Sequence, residues 1–300
     1  MNNQGYDWNS FRDHALAIQQ LSNNTLEDRE RKLRYLQRQG ITLFPLFDTT
    51  AFKKHLSARR RQHTQGGTLN HYIKAANSLL SSQNRETEKI KPFKENSKPK
   101  RIPTQKEIIR LLKTCTRSHK DKRLKTMIYF TVHTGLRVTE LCNLQIKNID
   151  NTNNNILVYR KWHKWTRLPV RKEVLTGRQV PSIQNYIDTH RELPKNKKYN
   201  DYLWIHERTR KPVTAAQFRV ELKELATRAG LSWIHPHSLR HYYATWLLRL
   251  GVRLTAVQQY MGHKSLDTTQ NYLHELEEDL QGIMDRLNMD DLLNRGGDQQ

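Results

Sequence analysis

Cysteine is nearly missing from this chain: Cys115 and Cys142 are the only two in 300 residues. Two thiols cannot build a disulfide framework, and no C-x-x-C spacing is present to hold zinc. Long apolar runs are missing as well. With a mean hydropathy of -0.88 and no stretch near the roughly 18 apolar residues that a span needs, a transmembrane segment is not expected. The start, MNNQGYDWNS, has no basic cluster followed by an apolar stretch, so it does not read as a secretory signal, and a cytoplasmic location is the default expectation. Negative charge is scarce too. Asp and Glu number 29 against 52 Lys and Arg, a formal charge of +23. Such a surplus calls for a polyanionic partner, with an anionic membrane surface as the rival to nucleic acid.

The length suits two domains, each with a substantial core. The first ninety or so residues read as a small all-helical domain. Helices are predicted over Phe11 to Leu21, Leu26 to Arg38, Thr50 to Arg60 and Leu69 to Leu80. Thr25 and Asp28 look like a capping-box variant opening the second, and Gly40 closes it. The fourth carries Leu69, Tyr72, Ile73, Ala76, Leu79 and Leu80 as a helical stripe. The third ends in the basic run Arg59, Arg60 and Arg61, a solvated face or a phosphate contact. From Ile90 to Pro103 the chain is polar, lysine-rich and broken by Pro92, Pro99 and Pro103, so an extended linker is predicted. Lys98, Lys100 and Arg101 suit a strap laid across DNA phosphates. Thr104 and Glu107 then form a capping box for a helix that buries Ile108, Leu111 and Leu112.

The stretch from Ile234 to Leu273 concentrates the chemistry. Pro236 suits the first turn of a helix that runs with Leu239, Tyr243, Trp246, Leu247 and Leu250 to a stop at Gly251. His237 and Arg240 then share one face, a turn apart. A second helix, Leu254 to Met261, is closed by Gly262, which leaves His263 just past its end. Ser265 can cap a short third helix carrying Tyr272. Tyrosine can attack a phosphodiester, which builds negative charge on the non-bridging oxygens. Arginine and histidine suit those oxygens. A second arginine is wanted, and TGLRVTEL supplies Arg137 after the apolar run Met127 to Val132 and a turn at Gly135.

Arg137 within TGLRVTEL, His237 and Arg240 within HSLRH, His263 within MGHKS and Tyr272 within TTQNYLH together resemble the tyrosine recombinase (phage integrase) family, over roughly residues 104 to 275. The resemblance implies a mainly α fold with a small antiparallel β-sheet: an all-helical core-binding domain (1–90), a basic linker (91–103), a mixed α/β catalytic domain (104–275) and a C-terminal helix and tail (276–300) exchanged between protomers. It implies a site-specific recombinase in which Tyr272 forms a 3′-phosphotyrosyl bond and releases a 5′-hydroxyl. Arg137, His237, Arg240 and His263 would stabilise the transition state, and Glu140, expected on the helix that carries Arg137, would orient the site. The scheme uses duplex DNA and no cofactor or metal, with a dimer on each site and a tetramer in synapsis.

The leaving oxygen needs a proton, and a lysine beside the phosphate can supply it. NILVYRKWHKWTRLPV predicts short strands, with Ile156 and Val158 alternating and Trp165 to Val170 pairing back. Where the family's hairpin usually reads glycine, lysine, glycine, this chain has Arg160, Lys161 and Trp162. Lys161 takes the place of the acid, with Lys164 in reserve. Arg253 and Trp246 also depart from the family, which often has a capping Asp or Asn and a histidine there. No long insertion of the integron-integrase kind occurs between Glu173 and Leu231, and the start near Phe11 leaves no room for an arm-binding domain, so a simpler Xer-like architecture is expected. A type IB topoisomerase would share the constellation, and a DNA-binding regulator that lost the reaction would share the fold. His235, His237 and His241 raise a zinc reading through the i, i+4 pair, but neither a third ligand nor an acid after His237 supports it.

Overall fold

The computed structural model describes residues 7–62, 64–94, 101–160, 164–178 and 180–262. The chain divides into two compact units, Met1–Lys98 and Pro99–Gln300.

Helices α1 (Trp8–Ala17), α2 (Asn23–Arg38), α3 (Thr49–Arg61) and α4 (Gly66–Ser82) build the first unit. Phe11, Leu33, Leu36, Phe52, Leu69 and Ile73 are among its core side chains. The helix count matches the sequence reading, while α1, α2 and α4 each start three residues earlier than expected and α1 ends at Ala17, short of Leu21. Asp7 accepts from the backbone N–H groups of Asn9 and Ser10, both at 3.0 Å, and so opens α1 before Phe11. The expected Thr25/Asp28 box does not form. Helix α2 already begins at Asn23, and Asp28 pairs forward with Arg31 and Lys32, one turn on.

The segment after α4 is strapped to that helix by two asparagines seven positions apart. Asn77 exchanges two hydrogen bonds with the backbone of Ile90, both at 2.9 Å. Asn70 does the same with Phe93, at 3.0 and 2.8 Å. Each amide satisfies one N–H and one C=O, as a strand neighbour would. The first residues after Ile90 are therefore held to α4.

In the second unit, α5 (Gln105–Lys113), α6 (His119–Thr134) and α7 (Val138–Cys142) are followed by strands β1 (Ile149–Asp150), β2 (Asn155–Arg160) and β3 (Lys164–Pro169). After them come α8 (Lys172–Thr176), α9 (Ile183–Thr189), α10 (Ala215–Arg228), α11 (Pro236–Arg249) and α12 (Leu254–Met261). The strands form one antiparallel sheet in the order β1-β2-β3, with Ile156 opposite Leu168 and Arg160 opposite Lys164. The expected class, mainly helical with a small antiparallel sheet, is the one observed. Thr104 and Glu107 make the predicted capping box at α5. Helix α6 is central and packs against α5, α8, α9, α10 and α11. Trp204 lies fully buried beside it, donating from Nε1 to the carbonyl of Leu141 at 2.9 Å. Burial pushes the Cys142 thiol up to about 12 and the Cys115 thiol up to about 11, so both stay protonated and inert.

Arg123 is buried with Glu221, which it meets through both guanidinium Nη atoms at 3.1 Å, and with Glu207 at 2.8 Å. His206, Glu207 and Glu221 are the one group of potential metal donors among the described residues. Both carboxylates are already spent on Arg123, whose charge occupies the place of a cation.

Candidate active site

Gly135 closes α6 in the left-handed conformation, with φ 61° and ψ 21°. A Cβ there would meet a Tyr243 ring carbon at 2.6 Å and the Met261 sulfur at 2.9 Å, so both conformation and space require glycine. The chain turns, Leu136 drops into the core, and Arg137 stands in extended backbone as the residue before α7. Arg137 therefore does not share a helix with Glu140, as the sequence reading had it. Glu140, at the third position of α7, reaches back: its carboxylate accepts from the Arg137 backbone N–H at 2.9 Å and from Arg137 Nη1 at 2.8 Å. One buried carboxylate caps the helix and aims the guanidinium.

Helix α11 begins at Pro236 and α12 ends at Met261 with Gly262 left-handed at φ 65°, both as the sequence predicts. His235 caps α11, its ring Nδ1 accepting from the Ser238 N–H at 3.3 Å while Ser238 Oγ accepts from the His235 N–H at 3.0 Å. His237 is exposed in the first turn, its ring stacked on His241 at 5.6 Å between centroids. One turn on, Arg240 is 2% exposed. It donates from Nη1 to the Gly135 carbonyl and from Nη2 to the Met261 carbonyl, joining the ends of α6 and α12. Arg137 donates from Nη2 to the next carbonyl, that of Gly262, at 2.7 Å. The two arginines, more than a hundred positions apart in sequence, thus converge on consecutive carbonyls at the end of α12, where the backbone dipole is negative.

Two expectations concern residues beside this point. Gly262 is followed directly by His263, and Arg160 directly by Lys161. Lys161, His263 and Tyr272, the short helix expected after Ser265 and the tail 276–300 lie outside the described residues. Their described neighbours do meet, because a Cβ on Gly262 would lie 3.1 Å from Arg160 Nη1 and 3.6 Å from Arg137 Nη1. Arg160, standing where the family usually has a glycine, is a residue that the sequence reading misses. The signal for it was the β2 alternation Ile156, Val158, Arg160, which turns the arginine inward. Lys164 is exposed at the start of β3.

The proposed DNA contacts are dispersed. Arg60 and Arg61 are exposed at the end of α3, and Arg60 lies over the Phe93 ring at 5.5 Å. Sequence reading missed a second basic face of the same helix: Thr50, Lys53, Lys54, Ser57 and Arg61 line a shallow groove of about 430 Å³. Their i, i+3, i+4, i+7 spacing was the available signal. Arg101 is engaged twice, pairing with Glu107 at 2.7 Å and lying 4.3 Å over the Trp233 ring. Lys98 and Lys100 lie outside the described residues.

No helix among the described residues is long and apolar enough to cross a membrane. The profile of the phage integrase family matches residues 101–279. The chain is 31% identical to a tyrosine recombinase of Thermosipho africanus over 284 residues, 90% of this chain and 95% of that protein. It is 32% identical to tyrosine recombinase XerC of Bacillus subtilis over 270 residues, 81% of this chain and 82% of that protein. Among solved structures, XerH bound to palindromic difH substrate in a post-cleavage complex shares the fold, with a TM-score of 0.63 and 23% identity over 80% of this chain and 73% of that one. So does the Tn1549 transposon integrase in complex with circular intermediate DNA, with a TM-score of 0.67 and 18% identity over 88% and 94%. With that profile match spanning more than half of its length, Arg137 and Arg240 included, the chain belongs to the phage integrase family of tyrosine recombinases.

Proposed function

We propose that this chain is a site-specific recombinase that cuts and rejoins duplex DNA through a 3′-phosphotyrosyl intermediate. The observation that carries the reading is the convergence of Arg137 and Arg240 on the carbonyls of Gly262 and Met261, directly before His263. Two permanently charged forks, one aimed by Glu140 and one nearly buried, form a preorganised cradle for a phosphate.

In this scheme the Tyr272 phenolic oxygen attacks the scissile phosphorus and gives up its proton to solvent. The phosphorus–O5′ bond breaks, and Lys161 gives O5′ a proton. Arg137, Arg240, His237 and His263 hold the non-bridging oxygens while their charge grows. Because the phosphotyrosyl bond retains the energy of the phosphodiester, religation calls for neither a nucleotide nor a metal. Relatives of nearly equal length are recombinases, which favours strand exchange over topoisomerase or regulator readings.

The domain roles follow: 1–90 as the core-binding domain, 91–103 as a basic strap, 104–275 as the catalytic domain and 276–300 as the exchanged tail. Arg59, Arg60, Arg61, Lys98, Lys100 and Arg101 would contact DNA phosphates. Two protomers would occupy each site, and four would form the synapse. A nicked suicide duplex built from the flanks of the encoding gene tests the reading. The wild-type chain should form a covalent adduct, and Tyr272→Phe should form none while binding the same DNA; an adduct that persists in Tyr272→Phe would refute it.

A further inference from the structure

Strand β2 sends Ile156, Val158 and Arg160 to its inner face. The first two join the apolar core, as period-2 patterning requires. The third is a guanidinium in a place an apolar side chain could fill. Arg160 is 7% exposed, and its Nε is buried with no hydrogen-bond partner among the described residues.

The surroundings add to the cost. Arg137 and Arg160 both reach the space beside Gly262, and Arg240 holds the carbonyl just before it. Glu140 is the carboxylate that attracts Arg160, yet both its oxygens are already bound to Arg137. Burial, together with the charge on Arg137 and against the pull of Glu140, lowers the Arg160 guanidinium below the usual arginine value. Among the described residues, three cations thus stand against one committed carboxylate. A buried charge in that position is destabilising unless an anion completes it. A phosphodiester carries one negative charge and gains a second as a nucleophile adds, which matches the deficit.

We propose that Arg160 is a third phosphate-binding arginine of the active site, donating to a non-bridging oxygen of the scissile phosphate and stabilising the charge that builds there. The proposal rests on the recombinase reading and adds to it a catalytic residue at a position where the family usually has glycine. The bonds made and broken are unchanged: the Tyr272 oxygen joins phosphorus, O5′ leaves and is protonated, and Arg160 keeps its protons throughout.

The test compares wild type with Arg160→Met, an apolar replacement suited to the core, and with Arg160→Lys, which keeps the charge without the fork. Adduct formation is timed on a nicked duplex that the wild type cleaves, with either a phosphodiester or an uncharged methylphosphonate at the scissile position. Thermal melting is followed alongside. Arg160→Met should melt no lower than wild type and cleave the phosphodiester about 10²-fold more slowly, the usual loss for one oxyanion donor. On the methylphosphonate, which lacks the oxygen to be neutralised, the deficit should shrink to a few-fold. Arg160→Lys should fall between, with the same substrate dependence. Equal rates on the phosphodiester, or the same deficit on both substrates, would overturn the proposal while leaving the recombinase reading intact. Failure of wild type to form any adduct would instead overturn that reading, and this proposal with it.

Discussion

Arg137 reaches across the second unit to the carbonyl oxygen of Gly262, which accepts from Nη2 at 2.7 Å. The same guanidinium is gripped from behind by Glu140. A side chain anchored at both ends loses little further freedom when a phosphate arrives, which is what electrostatic catalysis requires. Under the recombinase reading it also gives the backbone at Gly262 a role in holding the phosphate-binding arginine.

Gly262→Ala should therefore harm cleavage more than folding. The left-handed backbone costs an alanine about 1 kcal/mol. The new methyl would sit 3.1 Å from Arg160 Nη1, so the guanidinium must give way. The expected outcome is a drop of a few degrees in melting temperature, unchanged DNA affinity, and adduct formation slower by about tenfold or more, since small displacements of positioned groups carry penalties of that order. Melting curves and single-turnover cleavage measured together check this.

The features legible in the sequence were those whose partners lie within one helical turn. Pro236 at the start of α11, Gly262 at the end of α12 and the Thr104/Glu107 box are such local devices, and each formed as read. Asp7 is equally local but sits four positions before Phe11, where the apolar periodicity was read to begin, so the pattern did not reveal it. Arg137 and Glu140 meet, as their spacing of three suggests, but Arg137 is the cap before α7 and not a residue of that helix. The i, i+3 spacing does not distinguish two helical residues from a cap and its third position. Arg160 escaped because its partners, Gly262 and Arg137, come from distant segments. The asparagine strap on Ile90 and Phe93 escaped for the same reason. In each case the alternation or spacing was visible, but which surface it faced was not.

Lys161 and Lys164 can be separated by leaving-group chemistry. Lys164 is exposed and sits opposite Arg160 on the hairpin. If Lys161 is the general acid, Lys161→Ala should slow cleavage by about 10²-fold or more. A 5′-bridging sulfur, which leaves without a proton, should restore the rate. Lys164→Ala should show a small loss that sulfur does not change. Rescue of Lys164→Ala alone would transfer the role to that residue.

DNA affinity should fall steeply with salt, because the partner is held mainly through its phosphates. Each neutralised phosphate contributes about -0.9 to the slope of log K against log salt. Lys53 and Lys54 stand on one groove of α3, so replacing both with alanine should make the slope shallower by about 1.8. Arg101→Ala should change the slope less than either lysine, since Glu107 and Trp233 already occupy its guanidinium. Titrations at four or five salt concentrations would show this, and a binding constant flat across them would rule out phosphate-dominated binding.

The tail offers the furthest-reaching prediction. Leu276, Leu280, Ile283, Met284 and Leu287 recur at helical spacing, while Glu277, Glu278, Asp279 and Asp285 make the other side acidic in a chain of formal charge +23. An acidic face is repelled by DNA and is better placed against protein. An apolar stripe of this length stabilises only when covered, either by the tail's own domain or by a neighbour. The two cases differ in what truncation does. If the stripe covers its own domain, removing Leu276 to Gln300 exposes core, lowers the melting temperature and weakens every activity together. If it docks on a neighbouring protomer, the truncated chain should melt as before, bind a single site with near-normal affinity, and fail to pair two sites or exchange strands. We expect the second outcome, because Tyr272 lies four positions before Leu276, and a helix seated on a neighbour would couple the nucleophile's placement to that neighbour's presence. Strand exchange by the truncated protein at the full-length rate would show that assembly depends on some other surface.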